Sequence, residues 1–357
     1  MSELRPRLSK IEDYPACLET CWQEHLLPKA ADAPTVISLF AGCGGSSLGY
    51  SMAGFKELLA VDWDDNAIET FKSNFPDVPV YHDDIVKVSI DGCTSLAEIQ
   101  PGELEILDGS PPCQGFSTSG RRQFADSRND LFREYVRLLR GMRPKAFVME
   151  NVSGLVKGKM KLIFAEIMRD LKASGYKVST RLLNAMYFGV PQSRQRLIFI
   201  GVRDDLEIIP SHPRAETIPV EADKAIVDAD ISNVGRPKEP WAARMKEVKP
   251  GSSLGRIDNK GSLFSYVRCP IGKPAMTLQK SITFGDISMW HPIEERNCSI
   301  GELKRIGSFP DSFFFNGNYE ETVNCIGDSV PPLFMRSIAK HIRKTVLDME
   351  LESRLVS

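Results

Sequence analysis

Short runs of apolar residues, many of them β-branched, alternate with amphipathic stretches as far as about residue 203. The runs have the length of buried strands, and they lie at 36–40, 57–61, 104–107, 146–149, 178–183 and 197–200. Apolar residues recur at helical spacing over 130–142 and 162–171. This alternation predicts an α/β fold class with a doubly wound, mostly parallel sheet, whose ligands bind outside the carboxyl ends of the strands.

The pattern changes near residue 204. Residues 204–270 are rich in Pro, Gly, Ser and charge and show no sustained period, whereas alternation returns near Cys298 and ends in a helix over 333–347. Before residue 34, prolines interrupt a mixed stretch that has room for one short helix over 18–27. We therefore predict four segments, namely an N-terminal extension (1–33), an α/β domain (34–203), a small irregular domain (204–280) and a return to the α/β domain (281–357).

Composition and charge place limits on the class of protein. The chain has 357 residues, of which 42% are hydrophobic, so it can bury a large core. The formal net charge is only -2, but ten basic residues face three acidic ones over 231–280, and eight face three over 121–145. The composition excludes a uniformly basic coat, while the two local excesses are candidate surfaces for a polyanion.

The eight cysteines are scattered, with no C-x-x-C pair and no histidine at zinc spacing. We interpret them as reduced thiols of an intracellular protein and expect no metal. No apolar run approaches the 18 residues of a membrane span, and the first thirty residues lack the apolar core of a signal peptide. We expect neither export nor a membrane.

One cysteine lies in a distinctive loop. The apolar run 104–107 leads into residues 108–117, DGSPPCQGFS, where two prolines precede Cys113. The prolines fix φ at two positions and remove two backbone donors, so this loop is stiff and cannot join a sheet or helix. A thiol held on a stiff loop after a strand is a candidate nucleophile.

A second candidate site begins with a glycine turn. The run 36–40 is followed by glycines at 42, 44 and 45 and then by a helical stretch, and Asp62 lies 20 residues beyond Gly42 at the end of the next run. An acidic residue at that offset is where a doubly wound nucleotide site binds ribose hydroxyls. With the aromatic Trp63 next to it and Asp84-Ile85 at the end of a third strand, the pattern predicts an adenosine site.

Taken together in their order, these motifs resemble those of the cytosine-C5 DNA methyltransferases. The resemblance covers most of residues 35–345 and includes 40–45 (FAGCGG), Asp62-Trp63, Asp84-Ile85, 111–114 (PPCQ), 150–152 (ENV), 192–196 (QSRQR), 309–311 (FPD) and 326–332 (IGDSVPP). It implies a Rossmann-like catalytic domain, S-adenosylmethionine as methyl donor, S-adenosylhomocysteine as product, and double-stranded DNA as partner. It also implies that segment 204–280 is a target-recognition domain.

The resemblance assigns roles to individual residues. The catalytic set is Cys113, Glu150, Arg194 and Arg196. The cofactor-binding set is Phe40, Gly42, Gly44, Asp62, Trp63, Asp84, Ile85, Pro112, Leu131, Asp328 and Ser329. The DNA-binding set is Gln114, Ser119, Arg121, Arg122 and Gln192, with Ser119 in a loop that closes over the DNA.

The chemistry of cytosine agrees with these residue types. Carbon C5 becomes nucleophilic when a thiolate adds at C6, and cysteine suits that addition because a soft thiolate can leave again. A carboxylic acid such as Glu150 can protonate ring N3, and Arg194 and Arg196, as alternate residues entering a strand, are expected to share one face. Because C5 is hidden in a duplex, we expect the base to be flipped out and a basic surface to hold the DNA.

One residue departs from the family pattern, and some alternatives stay open. Gly327-Asp328 stands where the family usually has Gly-Asn, which replaces an amide donor with a carboxylate. The tRNA-methylating branch of the family and a catalytically silent DNA-binding relative are the alternative functions. We expect a monomeric restriction-modification enzyme that acts in bacterial cytoplasm at the nucleoid, or in the nucleus if the source is eukaryotic.

Overall fold

The computed structural model describes residues 8–112, 130–235, 237, 239–258, 266–280 and 289–356. Cys113, Gln114, Ser119, Arg121 and Arg122 lie outside these described residues. The predictions made for those five side chains therefore rest on the sequence.

Nine strands are formed in the described part of the chain. Their bounds are β1 (Thr35–Leu39), β2 (Lys56–Asp62), β3 (Val80–His82), β4 (Ile106–Gly109), β5 (Ala146–Val152), β6 (Tyr176–Asn184), β7 (Gln192–Ser193), β8 (Gln195–Arg203) and β9 (Ala275–Met276). Seven of them form one sheet in the order β3-β2-β1-β4-β5-β8-β6, and β7 pairs with β9. Strands β1 to β5 are parallel where they pair, while β8 is antiparallel to β5. The predicted fold class, a doubly wound and mostly parallel sheet, is confirmed.

Helices connect most of these strands. Their bounds are α1 (Tyr14–Leu26), α2 (Gly45–Met52), α3 (Asp65–Asn74), α4 (Ile90–Ala97), α5 (Asp130–Met142), α6 (Lys161–Lys172), α7 (Ala222–Ala225), α8 (Leu254–Ile257), α9 (Ile300–Ile306), α10 (Tyr319–Asp328), α11 (Pro332–Ile342) and α12 (Asp348–Val356). A π-helical turn (Arg343–Leu347) joins α11 to α12. Between α7 and α9 the described helices are short, as the aperiodic sequence predicts.

The chain divides into two compact units. The sheet unit comprises Glu24–Leu183, Gln195–Pro213 and Met335–Ser357, and the second unit comprises Met1–Gln23, Asn184–Arg194 and Arg214–Phe334. The N-terminal helix contributes to the second unit, where Leu18 is buried and Trp22 packs edge-on against Phe313.

The core of the sheet unit lies between the sheet and its helices. Strands β1, β4 and β5 are buried along almost their whole length, as expected when helices cover both faces of a parallel sheet. The apolar face of α5 packs on this core through Tyr135, Leu138 and Leu139. The Tyr135 hydroxyl lies 3.3 Å from the carbonyls of Leu107 and Val148, so it bridges β4 and β5.

A smaller aromatic core stabilises part of the second unit. Trp290 is fully buried and packs with Tyr266, which in turn packs against Trp241 at a tilted angle. The buried guanidinium of Arg268 donates to several main-chain carbonyls, including those of Val248 and His291 at 3.1 Å. An irregular segment obtains its order here from packing and side-chain hydrogen bonds rather than from long helices or strands.

Two strands differ from the sequence prediction in a way that affects the site. Strand β5 extends to Val152, so Glu150 lies inside it instead of following it. The extension has a physical cause, because β8 pairs with β5 along its whole length and supplies partners for residues 150–152. The third strand ends at His82, which places Asp84 in the loop beyond it.

Candidate active site

The site is organised around the point where the order of the parallel strands reverses. From β1 the chain builds β2 and β3 on one side and returns to build β4 and β5 on the other. Ligands of such sheets bind beyond the carboxyl ends of the two strands at the reversal. Here these are β1, which leads into Phe40 and the glycine turn, and β4, which leads into Ser110 and the two prolines.

The glycine turn has backbone angles that its sequence makes possible. Phe40, Gly42 and Gly44 all have positive φ, at 56°, 54° and 94°. A Cβ at Gly44 would lie 2.7 Å from the Phe75 ring, so glycine is required there for close packing as well as for its φ. At Gly42 a Cβ would meet nothing within 4 Å among the described residues, which leaves one side of the turn open to a ligand.

Asp62 ties this turn to the end of β2. Its Oδ2 accepts a hydrogen bond from the Gly42 amide at 2.7 Å, and its Oδ1 accepts from the Trp63 and Asp64 amides at 2.8 and 3.0 Å. Burial raises the pKa of the Asp62 carboxyl, and the three amides partly offset that rise. Each carboxylate oxygen can accept more than one bond, so Oδ2 can also accept from a ribose hydroxyl.

The neighbouring predicted cofactor residues offer an apolar face and an exposed acceptor. The Trp63 ring is 72% exposed, Asp84 is exposed and Ile85 is buried. Leu131 at the start of α5, Pro112 after β4 and Phe40 are half-buried. These groups in the sheet unit match an adenosine, which needs an acceptor for its ribose and apolar or aromatic contact for its ring.

Glu150 and Arg196 form the polar centre of the other predicted site. Arg196 lies opposite Val152 in the antiparallel pair of β5 and β8, so its side chain shares a face with Glu150 two residues away. The Nε atom of Arg196 lies 2.5 Å from Oε1 of Glu150, and Glu150 is only 9% exposed. The guanidinium therefore fixes the orientation of a largely buried carboxyl group.

Asn151 connects this pair to the loop that carries Cys113. The Asn151 side-chain amide donates to the Pro111 carbonyl at 3.4 Å, and its carbonyl oxygen accepts from the Val152 amide at 2.8 Å. Pro111 is buried and Pro112 half-buried, and Cys113 follows beyond the described stretch. The last described residues of the loop are thus anchored to the strand that presents Glu150.

Arg194 and Gln192 have different surroundings from Arg196, although the sequence pattern groups the three. Arg194 is only 3% exposed and donates to the carbonyls of Leu278 and Gly327 at 2.9 and 2.8 Å, within the second unit. Gln192 is also buried, where it accepts from the Leu278 amide at 3.1 Å and donates to the Ile306 carbonyl at 3.3 Å. These contacts hold main chain together, and Arg194 lies between β7 and β8 rather than in a strand with Arg196.

The unusual Asp328 has a partner that the sequence pattern did not identify. The Lys280 ammonium lies 2.6 Å from Asp328 Oδ2, with both side chains partly exposed. A Cβ at Gly327 would lie 2.6 Å from the main chain of Gln279, so glycine is needed for this close approach. The lysine supplies a donor beside the carboxylate that stands in place of the usual amide. Ser329 follows at the end of α10, and its hydroxyl donates to the Cys325 carbonyl at 2.7 Å.

Two other kinds of feature are absent from the described residues. No group of three or more His, Cys, Asp or Glu side chains there could hold a metal ion. No helix in the same residues is long and apolar enough to cross a membrane.

Comparison with known proteins identifies the family of the chain. Residues 34–344 match the C-5 cytosine-specific DNA methylase family, which is most of the chain. The chain belongs to this family. It is a DNA cytosine-C5 methyltransferase, and the resemblance described from its sequence motifs is confirmed.

Similar curated proteins come from bacteria and match along most of their own length. The Type II methyltransferase M1.HphI of Haemophilus parahaemolyticus is 35% identical over 332 residues, which cover 87% of each chain. The Type II methyltransferase M.DdeI of Desulfomicrobium norvegicum is 32% identical over 380 residues, which cover 86% of this chain and 88% of that one.

Solved structures share the fold of this methyltransferase. A prophage-encoded DNA modification methyltransferase from E. coli has a TM-score of 0.73 at 24% identity and covers 88% of this chain and 100% of its own. DNMT2 of Spodoptera frugiperda has a TM-score of 0.62 at 18% identity, with the same coverage. At these identities the likeness concerns the fold alone.

Three residues that matter to this site were given no role from the sequence. Asn151 lies in the motif 150–152 (ENV). Asp108 lies in the stretch 108–117 that contains Cys113, and the sequence marks it only as a carboxylate that follows an apolar run. Lys280 closes a basic block, but its pairing with Asp328 depends on a contact 48 residues away in sequence, which no local pattern shows.

Proposed function

We propose that this methyltransferase transfers a methyl group from S-adenosylmethionine to C5 of a flipped-out cytosine in a specific duplex sequence, through a covalent bond between Cys113 and C6. The observation that carries this proposal is the arrangement of Glu150, Arg196 and Asn151. A carboxyl group is oriented on a strand whose next residue anchors the loop that leads to the cysteine.

The covalent step follows from the reactivity of the base. The Cys113 thiolate forms a C6–S bond, and the electron pair displaced from the C5–C6 double bond makes C5 nucleophilic. S-adenosylmethionine, when bound, would supply an electrophilic methyl group to that carbon, its sulfur–methyl bond breaking to leave S-adenosylhomocysteine. The C5 proton is then lost to solvent, the C6–S bond breaks, and the thiolate is regenerated. Cysteine is the right residue type because it both adds and leaves readily.

Glu150 and Arg196 act on the base while the thiolate adds. Negative charge develops on the ring during addition, and Glu150 in its protonated form offsets it by donating its proton to N3, from which the proton returns to Glu150 when the C6–S bond breaks. Arg196 orients the Glu150 carboxyl, so that the group is already placed when the base arrives. Arg194, although predicted as catalytic, is proposed to act indirectly, because its guanidinium is bonded to the carbonyls of Leu278 and Gly327.

The residues of the sheet unit suit S-adenosylmethionine. The open side of Gly42 lets the ligand approach the turn, Asp62 would accept from the ribose, and Trp63 and Ile85 would contact the adenine, with Asp84 as an acceptor for its amino group. The remaining proposed contacts are Phe40, Gly44, Pro112 and Leu131. In the second unit, Asp328 and Ser329 are proposed as further cofactor residues.

DNA binding is proposed to use the segments with basic excess. The proposed DNA-binding residues in or just before the 121–145 excess are Gln114, Ser119, Arg121 and Arg122, and Gln192 is proposed as a further one. Sequence specificity is proposed to reside in residues 204–280, because base edges are read by side chains presented in a groove. The names of the curated relatives support a place in a restriction-modification system.

The experiment that tests this function measures 5-methylcytosine in host DNA. We expect expression of the wild type to produce 5-methylcytosine at one recurrent sequence, and Cys113→Ser expressed at the same level to produce none. Absence of the modified base in the wild-type strain would contradict the proposal. Modification found in tRNA but not in DNA would favour the tRNA-methylating branch.

A further inference from the structure

A row of buried polar side chains crosses one face of the sheet beneath α2 and ends at Glu150. Ser38 on β1 lies opposite Asp108 on β4, and Asp108 lies opposite Val148 on β5, two residues before Glu150. Partners in register share a face and so do alternate residues, so Ser38, Asp108 and Glu150 project to the same side. Most faces of a doubly wound sheet are apolar at such positions.

Helix α2 covers the centre of this row. The Tyr50 hydroxyl donates to Asp108 Oδ1 at 3.2 Å, and the Ser47 hydroxyl donates to that of Ser38 at 3.3 Å. Asp108 is 2% exposed and Tyr50 is fully buried. Asp108 thus links the helix that follows the glycine turn to the strand that leads to the Cys113 loop.

The groups that face Asp108 come from four elements. Tyr50 and Ser46 lie on α2, Glu57 on β2, Tyr135 on α5 and Glu150 on β5. Of these, Glu57 and Glu150 are acidic and the others are neutral hydroxyl groups. None of these five groups is a cation, and Glu150 is paired with Arg196.

Burial raises the pKa of the Asp108 carboxyl to about 7. Hydrogen bonds from Ser46 and Tyr50 oppose that rise, and repulsion from Glu150 adds to it. A carboxyl group with such surroundings is neutral below pH 7. Above pH 7 it becomes an additional buried negative charge beside Glu150. Buried carboxyls without a cationic partner are rare in cores that serve packing alone.

We propose that Asp108 is a positioning residue for the methyl-transfer reaction, active in its neutral form, and that its ionisation slows covalent addition at the neighbouring base site. This inference rests on the proposed covalent mechanism and adds a control by pH that the mechanism does not require. Neutral Asp108 holds α2 and β4 together through Tyr50 and adds no charge beside Glu150.

The direction of the effect follows from electrostatics. Addition brings an anionic thiolate to the base and builds negative charge on the ring. In a water-excluded site a further carboxylate raises the energy of that charge, because the low dielectric constant screens the repulsion between the two negative charges only weakly. The rate of addition should therefore contain a component that falls as pH rises through about 7.

The test compares Asp108→Asn with the wild type from pH 6 to pH 8.5. The assay measures the single-turnover rate of the covalent adduct with duplex DNA that carries 5-fluorocytosine at the methylated site, in the presence of S-adenosylmethionine. Asparagine keeps the shape of the neutral acid. We expect the rate ratio of variant to wild type to rise from about one at pH 6 to about fivefold to tenfold at pH 8.5.

Tyr50→Phe provides an independent variant that leaves Asp108 in place. It removes a donor that stabilises the ionised carboxylate, so the pKa of Asp108 rises and the fall in rate should move about half to one pH unit higher. Glu69→Gln is the control, since it neutralises an exposed carboxyl on α3 that is not among the groups facing Asp108. Its rate ratio should stay nearly constant.

Each outcome decides the inference. Flat ratios for Asp108→Asn together with an unmoved profile for Tyr50→Phe would overturn it, as would a rise for Glu69→Gln equal to that for Asp108→Asn. A wild type that forms no adduct at any pH would instead contradict the proposed function. Thermal unfolding of every variant, recorded at each pH, verifies that the compared proteins are folded.

Discussion

The ion pair between Arg196 and Glu150 is the feature of single residues on which the chemistry depends most. Both side chains are largely buried, and the contact is a charge-assisted hydrogen bond between Nε and a carboxylate oxygen. A guanidinium directs its donors in a fixed plane, whereas an ammonium is a point charge on a flexible stem. The orientation of Glu150, and not merely its charge balance, should therefore depend on arginine at this position.

Arg196→Lys tests that dependence. We expect the single-turnover methylation rate to fall by about tenfold to a hundredfold, because Glu150 loses its fixed orientation, while affinity for DNA changes by less than about threefold. Arg203→Lys is the control, since Arg203 lies on the same strand and its Nε pairs with Asp205 at 2.7 Å, outside the site. Equal rates for Arg196→Lys and the wild type would show that orientation by the guanidinium is unnecessary.

Asp62 serves both the fold of the glycine turn and the proposed ribose contact. We expect Asp62→Ala to weaken S-adenosylmethionine binding by about tenfold to a hundredfold, because it removes an acceptor and the bond that holds Gly42. Isothermal titration calorimetry measures this loss. Asp65→Ala removes a nearby exposed carboxylate paired with His82 and should bind normally. Unchanged affinity in folded Asp62→Ala would refute the ribose assignment.

Among the elements, those with a strong local pattern could be predicted from the sequence. The helix predicted over 130–142 is α5, because its apolar residues repeat at helical spacing. The strands that lead to Phe40 and Asp62 were also predicted to within two residues. The antiparallel direction of β8 was not predicted, since a short apolar run carries no information about the strand beside it.

The candidate site was predictable in proportion to how local its contacts are. The offset between Gly42 and Asp62 is a local pattern, and the structure joins the two residues by a hydrogen bond. The different surroundings of Arg194 and Arg196 were not predictable from alternation, because Arg194 precedes β8 and its partners lie 84 and 133 residues away. The pairing of Lys280 with Asp328 was not predictable either, because the two residues are 48 positions apart in sequence.

The polar face under α2 also makes a prediction about stability. The pKa of Glu57 is about 8, raised chiefly by burial, whereas an unfolded glutamate titrates near 4.3. Between these values the unfolded state binds fewer protons than the folded state, so the free energy of unfolding falls as pH rises. A glutamine at position 57 does not ionise, so it does not contribute this fall in the free energy of unfolding.

We therefore expect Glu57→Gln to gain stability relative to the wild type by about 4 kcal/mol between pH 5 and pH 8.5. Urea unfolding of both proteins at the two pH values measures the difference. Glu69→Gln, an exposed change on α3, should give the same difference at both pH values. A difference for Glu57→Gln that does not depend on pH would contradict the buried neutral carboxyl.

For the whole molecule, the proposed function assigns catalysis to the sheet unit and sequence recognition to residues 204–280. The sheet unit contains the glycine turn and the Glu150 strand, while residues 204–280 are irregular and carry much of the basic excess. Replacing 204–280 with the corresponding segment of a relative that methylates another sequence should move methylation to that relative's site. Bisulfite sequencing of host DNA measures this. A folded, active chimera that keeps the original site would refute the assignment of specificity.

The central claim is covalent catalysis by Cys113, and trapping of the covalent intermediate tests it most directly. Fluorine at C5 cannot be lost as the C5 proton is, so the C6–S bond does not break after methyl transfer. The wild type should therefore form a denaturation-resistant adduct with 5-fluorocytosine duplex only when S-adenosylmethionine is present. Cys113→Ser should form none, and Glu150→Gln should form it at least a hundredfold more slowly while still binding DNA. An adduct that persists in Cys113→Ser, or wild-type methylation without any trapped adduct, would contradict the account.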